Sequence, residues 1–152
     1  VNLWPWTLAA YARPGVSDAC LDLQDGHRQS VPYLLWAAWA AIEGRPLSSA
    51  ALEAAAALAD RWDQVAVAPL RLARRGLKTP ITGLADPPRE QLREAVKTLE
   101  LRAEETLMLA LEPIAPGPAA PYPCAPALIA ASRAWLFPAP PAALHRLATV
   151  LT

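Results

Sequence analysis

From Val31 to Ile42 the chain reads Val-Pro-Tyr-Leu-Leu-Trp-Ala-Ala-Trp-Ala-Ala-Ile, without one charged or strongly polar side chain. A helix that is apolar on every side has to be covered on every side. The stretch is also too short to cross a bilayer, which takes about twenty residues. Both constraints make it the central helix of a soluble bundle. Ser30 ahead of it, Pro32 in its first turn and Gly44 behind it put its expected bounds at 31–43.

The cover must come from the rest of a 152-residue chain, the size of one ordinary domain. Its hydrophobic share, 54%, exceeds the usual ~45–50%, and its charged share, 18%, falls below the usual ~25%. The surplus is mostly alanine, the best helix former, and β-branched runs are almost absent. The predicted fold class is therefore all-α: an irregular helical bundle of about six to eight helices around the central one.

Asn2 is placed to cap a first helix carrying Trp4, Trp6, Leu8 and Tyr11. Arg13-Pro14-Gly15 stops it, because the residue before a proline is pushed out of the α region. Ser17 is the expected cap of a second helix, Asp18 to about Asp25, ended by Gly26. After the Arg45-Pro46 turn, Ser48 caps an alanine-rich helix reaching about Trp62, with Leu47 and Leu52 as a hydrophobic staple. The stretch 62–77 reads as helical on both sides of Pro69, which should kink or break it. Residues 78–85 form a loop, and Asp86 caps the longest helix, which ends near Glu112. Its apolar stripe is expected at Leu92, Val96, Leu99, Ala103, Thr106 and Ala110.

Residues 1–112 thus form a helical core, and the proline-rich stretch 113–126 a stiff, extended connection. Two short helices, about 127–137 and 141–151, follow. They are expected to pack on the core within a single domain; loose packing, or a swap onto a partner chain, is the alternative.

Fourteen basic residues balance fourteen acidic ones, so no global charge points to nucleic acid or an anionic membrane. Cys20 and Cys124 stand far apart with no metal-ligand spacing. Both are expected to be reduced, since a domain of this size needs no disulfide staple. The N-terminus lacks a basic region and Pro5 interrupts its apolar run, unlike a signal peptide. The expected location is cytoplasmic, although numbering from a Val leaves a removed leader open.

Arg71, Arg74, Arg75 and Lys78 are the foremost candidates for a site. At roughly 100° per residue they fall within an arc of about 100° on one helix face, and no acid interrupts residues 64–85. Grouped guanidinium forks suit phosphate or carboxylate, so this face is read as the contact for an anionic ligand or an unidentified protein partner. The competing reading is a solvated face that pairs with Glu100, Glu104 and Glu105 of the long helix. Four cations would give nucleic acid only a modest, unspecific attraction.

Trp36 and Trp39, with Tyr33 ahead of them, form a stripe that fits a core. With Trp4 and Trp62 they could instead line an apolar pocket whose basic edge would suit an amphipathic carboxylate or acyl phosphate. Cys20 and His27, seven residues apart, invite a thiol–imidazole reading. Gly26 intervenes, however, and Cys20 shares an apolar stripe with Val16 and Leu23, where a small buried hydrophobe is the default. Asp22, Asp25 and His27 are too loosely placed to name a metal site, and Asp25 has Arg28 as a local partner. No metal and no cofactor is predicted. Glycine-rich phosphate loops, CxxC, HExxH and GxSxG are all missing from the sequence.

Several strings together resemble a family of uncharacterised proteobacterial proteins, a conserved domain of unknown function. They are Tyr11-Ala12-Arg13-Pro14-Gly15-Val16, Ala19-Cys20-Leu21 with Leu23-Gln24-Asp25, and Leu34-Leu35 with Trp39. Trp62 followed by Val65, Pro69-Leu70-Arg71, Arg74-Arg75 and Leu77-Lys78 completes the set. The similarity runs from about Leu3 to Leu109. It implies a small cytosolic helical protein and no particular activity.

The function these readings favour is that of a non-enzymatic helical protein binding through its basic face. The alternatives are a binder of an acyl or other amphipathic anion, or a thiol-dependent enzyme using Cys20. A homodimer is compatible with the pattern, and no membrane span is expected.

Overall fold

The computed structural model describes residues 1–152, and every regular element in it is helical. The α-helices are α1 (Leu3–Tyr11), α2 (Val16–Leu21), α3 (Val31–Ile42), α4 (Ser49–Trp62), α5 (Ala68–Gly76), α6 (Asp86–Leu111), α7 (Cys124–Ala134) and α8 (Pro141–Leu151). Two π-helical turns, Asp22–Gly26 and Asp63–Val67, follow α2 and α4.

α3 is sheathed as its composition requires: every residue from Tyr33 to Ala41 is 0% exposed. α7 lies along it, α1, α4 and α6 close its other sides, and α8 braces α7 and α2. Leu3 of α1, Ala55 of α4, Leu111 of α6, Leu128 of α7 and Leu144 of α8 all join α3 in one core cluster. The alanines of α4 and α7 serve this packing, because small side chains let neighbouring backbones approach the bulky Trp36 and Trp39. The tyrosine hydroxyl of Tyr33 lies 3.3 and 3.0 Å from the Leu52 and Ala131 carbonyls, tying α3 to α4 and α7. Trp39 Nε1 donates to the Val1 carbonyl at 2.8 Å. Trp36 Nε1 has no partner, a cost of about 1–3 kcal/mol that the burial of a whole indole outweighs.

The proline-rich connection is laid across the C-terminal end of α3. Ala119 N–H donates to the Gly44 carbonyl at 2.6 Å, Tyr122 N–H to Ala41 at 3.1 Å, and Tyr122 Oη to Arg45 at 3.0 Å. Gly44 is required there twice over. Its φ is +72°, and a Cβ would stand 2.7 Å from the Ala120 carbonyl carbon and 2.8 Å from Pro121 N.

Local signals were legible to different degrees. Ser48 caps α4, accepting from Ala51 N–H at 3.1 Å. Asn2 holds the cap position of α1 without a side-chain hydrogen bond. Ser17 and Asp86 are not caps: Gly15, with φ 84°, precedes α2, and Ala85 precedes α6, so both residues lie in the first turn. α2 also gives way at Asp22 to a π-turn, before the expected stop at Gly26. Pro69 does not break its segment: α4, the π-turn and α5 run on without interruption from Ser49 to Gly76. It has no N–H to offer the carbonyl four residues back, and the turn just before it widens, so that Ala68 N–H reaches Asp63 O. α7 starts at Cys124, three residues earlier than predicted, and ends at Ala134.

The largest correction concerns α6. The helix buries Arg89, Val96, Glu100, Ala103, Leu107, Met108 and Leu111. Leu92 and Leu99 are 55% and 50% exposed, and Thr106 and Ala110 also face outwards. Val96 and Ala103 belong to both stripes. α6 is therefore rotated about its axis, bringing a charged residue, Glu100, inwards where a leucine was expected.

Candidate functional site

The rotation of α6 decides what becomes of the basic face. Glu100 receives two guanidinium groups of α5: Arg71 Nε at 3.3 Å from Oε1, and Arg74 Nε at 2.5 Å from Oε2. The three side chains are 15%, 24% and 10% exposed for Arg71, Arg74 and Glu100. Arg71 also stands 3.9 Å from Glu104. Arg75 turns the other way and pairs with Asp25 at 2.6 Å, so Asp25 is not the local partner of Arg28. Lys78 makes no ion pair. The four cations thus do not share one outward face. A carboxylate within hydrogen-bond reach in a half-dry contact holds a guanidinium better than water does, and it draws two of the four inwards.

Behind Arg71 lies a partly buried polar knot of Glu104, Cys20 and Tyr11. Burial pushes the Glu104 carboxyl up to about 7; the Arg71 guanidinium opposes the rise and the Glu100 carboxylate adds to it. Burial likewise pushes the Cys20 thiol up to about 12, against a hydrogen bond with Tyr11. Cys20 and Cys124 are both buried and free. His27 Nε2 approaches Asp22 at 3.9 Å, and no three histidine, cysteine or acidic side chains converge where they could hold a metal ion.

In front of Arg71 the two π-turns face each other across a cleft of about 200 Å³. Gln24 and Arg28 stand on one side, Asp60, Asp63 and Arg71 on another, and residues 135–137 close the end. Arg28 carries a positive φ of 55°, the one non-glycine residue to do so. Its carbonyl accepts from Trp135 Nε1 at 2.9 Å, and its guanidinium lies 5.1 Å above the Phe137 ring. Gln29 locks the same wall, donating to His27 O at 2.9 Å and to Phe137 O while accepting from Ser132 Oγ at 3.2 Å. Strained backbone and π-turns persist only where surrounding contacts hold them, and both concentrate at functional sites.

Asp60, Asp63 and Arg28 make no ion pair in this cleft, unlike Arg71, which Glu100 holds. Burial pushes the Asp63 carboxyl up, Arg71 pulls it partly back and Asp60 adds to the rise. Asp60 accepts only from the neutral Gln64, at 3.0 Å, and Arg28 has no carboxylate partner. A larger hollow of about 470 Å³ between α2 and α8 offers no unpaired arginine, because its Arg146 is already paired with Asp22 at 2.9 Å.

The tryptophans line no common pocket. Trp36 and Trp39 have no exposed surface, Trp4 is half-buried against the core, and Trp62 spends its Nε1 on the Ala103 carbonyl at 2.8 Å. Sequence reading reached Arg71 but missed Arg28, Asp60, Asp63 and Trp135. The only signal for them was indirect: Pro69 inside a helical pattern, which the π-turn beside Asp63 accommodates.

No helix is long and apolar enough to cross a membrane. No curated protein and no solved structure matches the chain. The family model described as Protein of unknown function (DUF2390) matches residues 2–111. That match runs from α1 to the end of α6, includes both π-turns and Arg71, and leaves α7 and α8 outside it. The chain belongs to this family of proteins of unknown function.

Proposed function

We propose that the protein is a binding protein without covalent chemistry of its own, and that it takes a small anionic ligand at Arg71 in the cleft between the π-turns. The observation that carries this reading is the mounting of Arg71. Glu100 holds its Nε from behind at 3.3 Å, while the same side chain lines the cleft. A guanidinium fixed in this way loses little freedom when a carboxylate or phosphate arrives, and its fork matches either group. Lys78, just past the end of α5, makes no ion pair, and an anionic protein partner would meet it together with Arg75, whose charge Asp25 already holds. Two free cysteines suit a reducing compartment, in keeping with a cytoplasmic, bacterial protein.

Thiol-dependent catalysis is the weaker reading. It needs a thiolate, whereas burial raises the Cys20 thiol to about 12. Native Cys20 is expected to react with iodoacetamide far more slowly than a free thiol at pH 7.5; rapid alkylation would revive the enzyme reading.

The test of the binding reading is a titration with 4-methylvalerate and with inorganic phosphate, followed by thermal shift and calorimetry. One of them should raise the melting temperature, and Arg71→Met should abolish the effect while circular dichroism stays helical. If neither anion binds, or if Arg71→Met binds as well as the parent, the reading fails.

A further inference from the structure

We infer that the ligand at Arg71 is a zwitterion, an α-amino acid whose carboxylate meets Arg71 and Arg28 and whose ammonium group meets Asp63 and Asp60. This rests on the binding reading above and narrows it to one chemical class.

A site built for a simple anion would not carry carboxylates in its wall. Two carboxylates in the wall of a small cleft repel an incoming anion; Asp63 makes no ion pair, and the one cation that offsets it, Arg71, is already held by Glu100 at 3.3 Å. A half-buried carboxylate without a partner is unfavourable in the folded protein unless something else occupies the site. A ligand carrying an ammonium group turns both acids from obstacles into partners. Arg28 supplies the converse. Its guanidinium has no carboxylate, is stacked 5.1 Å from the centre of the Phe137 ring, and springs from a backbone held at φ 55°. The cleft therefore presents unmatched charges of both signs on walls fixed by Trp135 and Gln29.

Size and lining agree with an amino acid. The cleft, about 200 Å³, is below the ~300–1,000 Å³ typical of pockets for drug-sized molecules. It adjoins a second hollow of about 290 Å³ that shares Asp60, Trp135 and Leu136 and is lined by Ala56, Ala57 and Ala134. The zwitterionic head fits the charged cleft, and an apolar side chain can run over the alanines of α4. A bare dicarboxylate would place a second negative charge against Asp60. A bare amine would leave Arg28 unanswered.

Three probes of nearly one shape separate these cases: leucine, 4-methylvalerate, which lacks the ammonium group, and isoamylamine, which lacks the carboxylate. Calorimetry on the full chain, with the other standard amino acids as a panel, should find at least one amino acid binding tenfold or more tighter than both single-charge probes. Asp63→Asn should erase that advantage while leaving 4-methylvalerate binding unchanged or improved. Arg71→Met should weaken amino acid and carboxylate alike. If 4-methylvalerate binds as tightly as every amino acid, and Asp63→Asn changes nothing, the zwitterion is overturned and the anion site stands. If no amino acid binds, the inference is overturned; if 4-methylvalerate and phosphate also fail, the anion reading goes with it.

Discussion

Two helix pairs in this molecule are buried by different means. α3 and α7 meet through Tyr33, Trp36, Ala131 and Leu128, an almost dry contact. α5 and α6 meet through Arg71, Arg74, Glu100 and Glu104, and α5 contributes no fully buried residue. The first contact draws on apolar area, which is non-directional and tolerates sliding until side chains interlock. The second is directional, because one carboxylate has to sit within hydrogen-bond reach of two guanidinium groups. It fixes how far α6 turns about its axis, and so where the cleft lies. The dry pair supplies stability and the charged pair supplies orientation.

Substitutions can break that contrast. Trp36→Ala should be the most damaging, at about 3–5 kcal/mol in urea denaturation, because the alanines around it are too small to close the hole. Glu100→Gln should cost less, about 2–3 kcal/mol, since the arginines it strands retain some access to water. Its informative partner is the triple change Arg71→Met, Arg74→Leu and Glu100→Leu. Removing the whole charged set should bring stability back to within about 1 kcal/mol of the parent while abolishing anion binding. A triple variant as unstable as Glu100→Gln would mean that the ion pairs themselves hold the helices together.

Glu104 sharpens the contrast through pH. Its carboxyl, held at about 7 in the folded protein, lies above its unfolded value of about 4.3. The native state therefore binds the proton more tightly, and the group's contribution falls as pH rises from about 4.5 to 7. Glu104→Gln should raise stability at pH 8 by on the order of 2 kcal/mol and flatten the pH dependence across that window. Equal destabilisation at pH 5 and pH 8 would show that Glu104 acts as a plain ion-pair partner. The smallest effect is expected where the sequence pattern predicts a large one: Leu92→Ser and Leu99→Ser should each shift stability by no more than about 0.5 kcal/mol. A loss of several kcal/mol at either position would put α6 in the orientation its leucines suggest.

Those two leucines show where sequence reading stopped. A stripe spaced by three and four can be drawn through Leu92, Val96, Leu99 and Ala103, or through Val96, Glu100, Ala103 and Leu107. Apolar counting prefers the first. The second wins because Glu100 satisfies two arginines from a helix some thirty residues earlier in sequence. No local pattern contains that partnership. Arg71 was recognisable from its neighbours Arg74 and Arg75. Asp60 and Asp63 were invisible as site residues because they line a cleft only once a π-turn places them opposite Arg28 and Phe137.

The sequence by itself determined that α3 is wholly enclosed, since a helix with no polar side has no stable exposed arrangement. It also determined that Gly44 ends that helix, because the left-handed turn there excludes a side chain. Which face of α6 points inwards, and hence which charges are cancelled and which stay open in the cleft, was decided only by tertiary structure. The reason is range: covering an apolar helix needs any apolar cover, whereas pairing Glu100 with Arg71 and Arg74 depends on where segments distant in the chain come to rest.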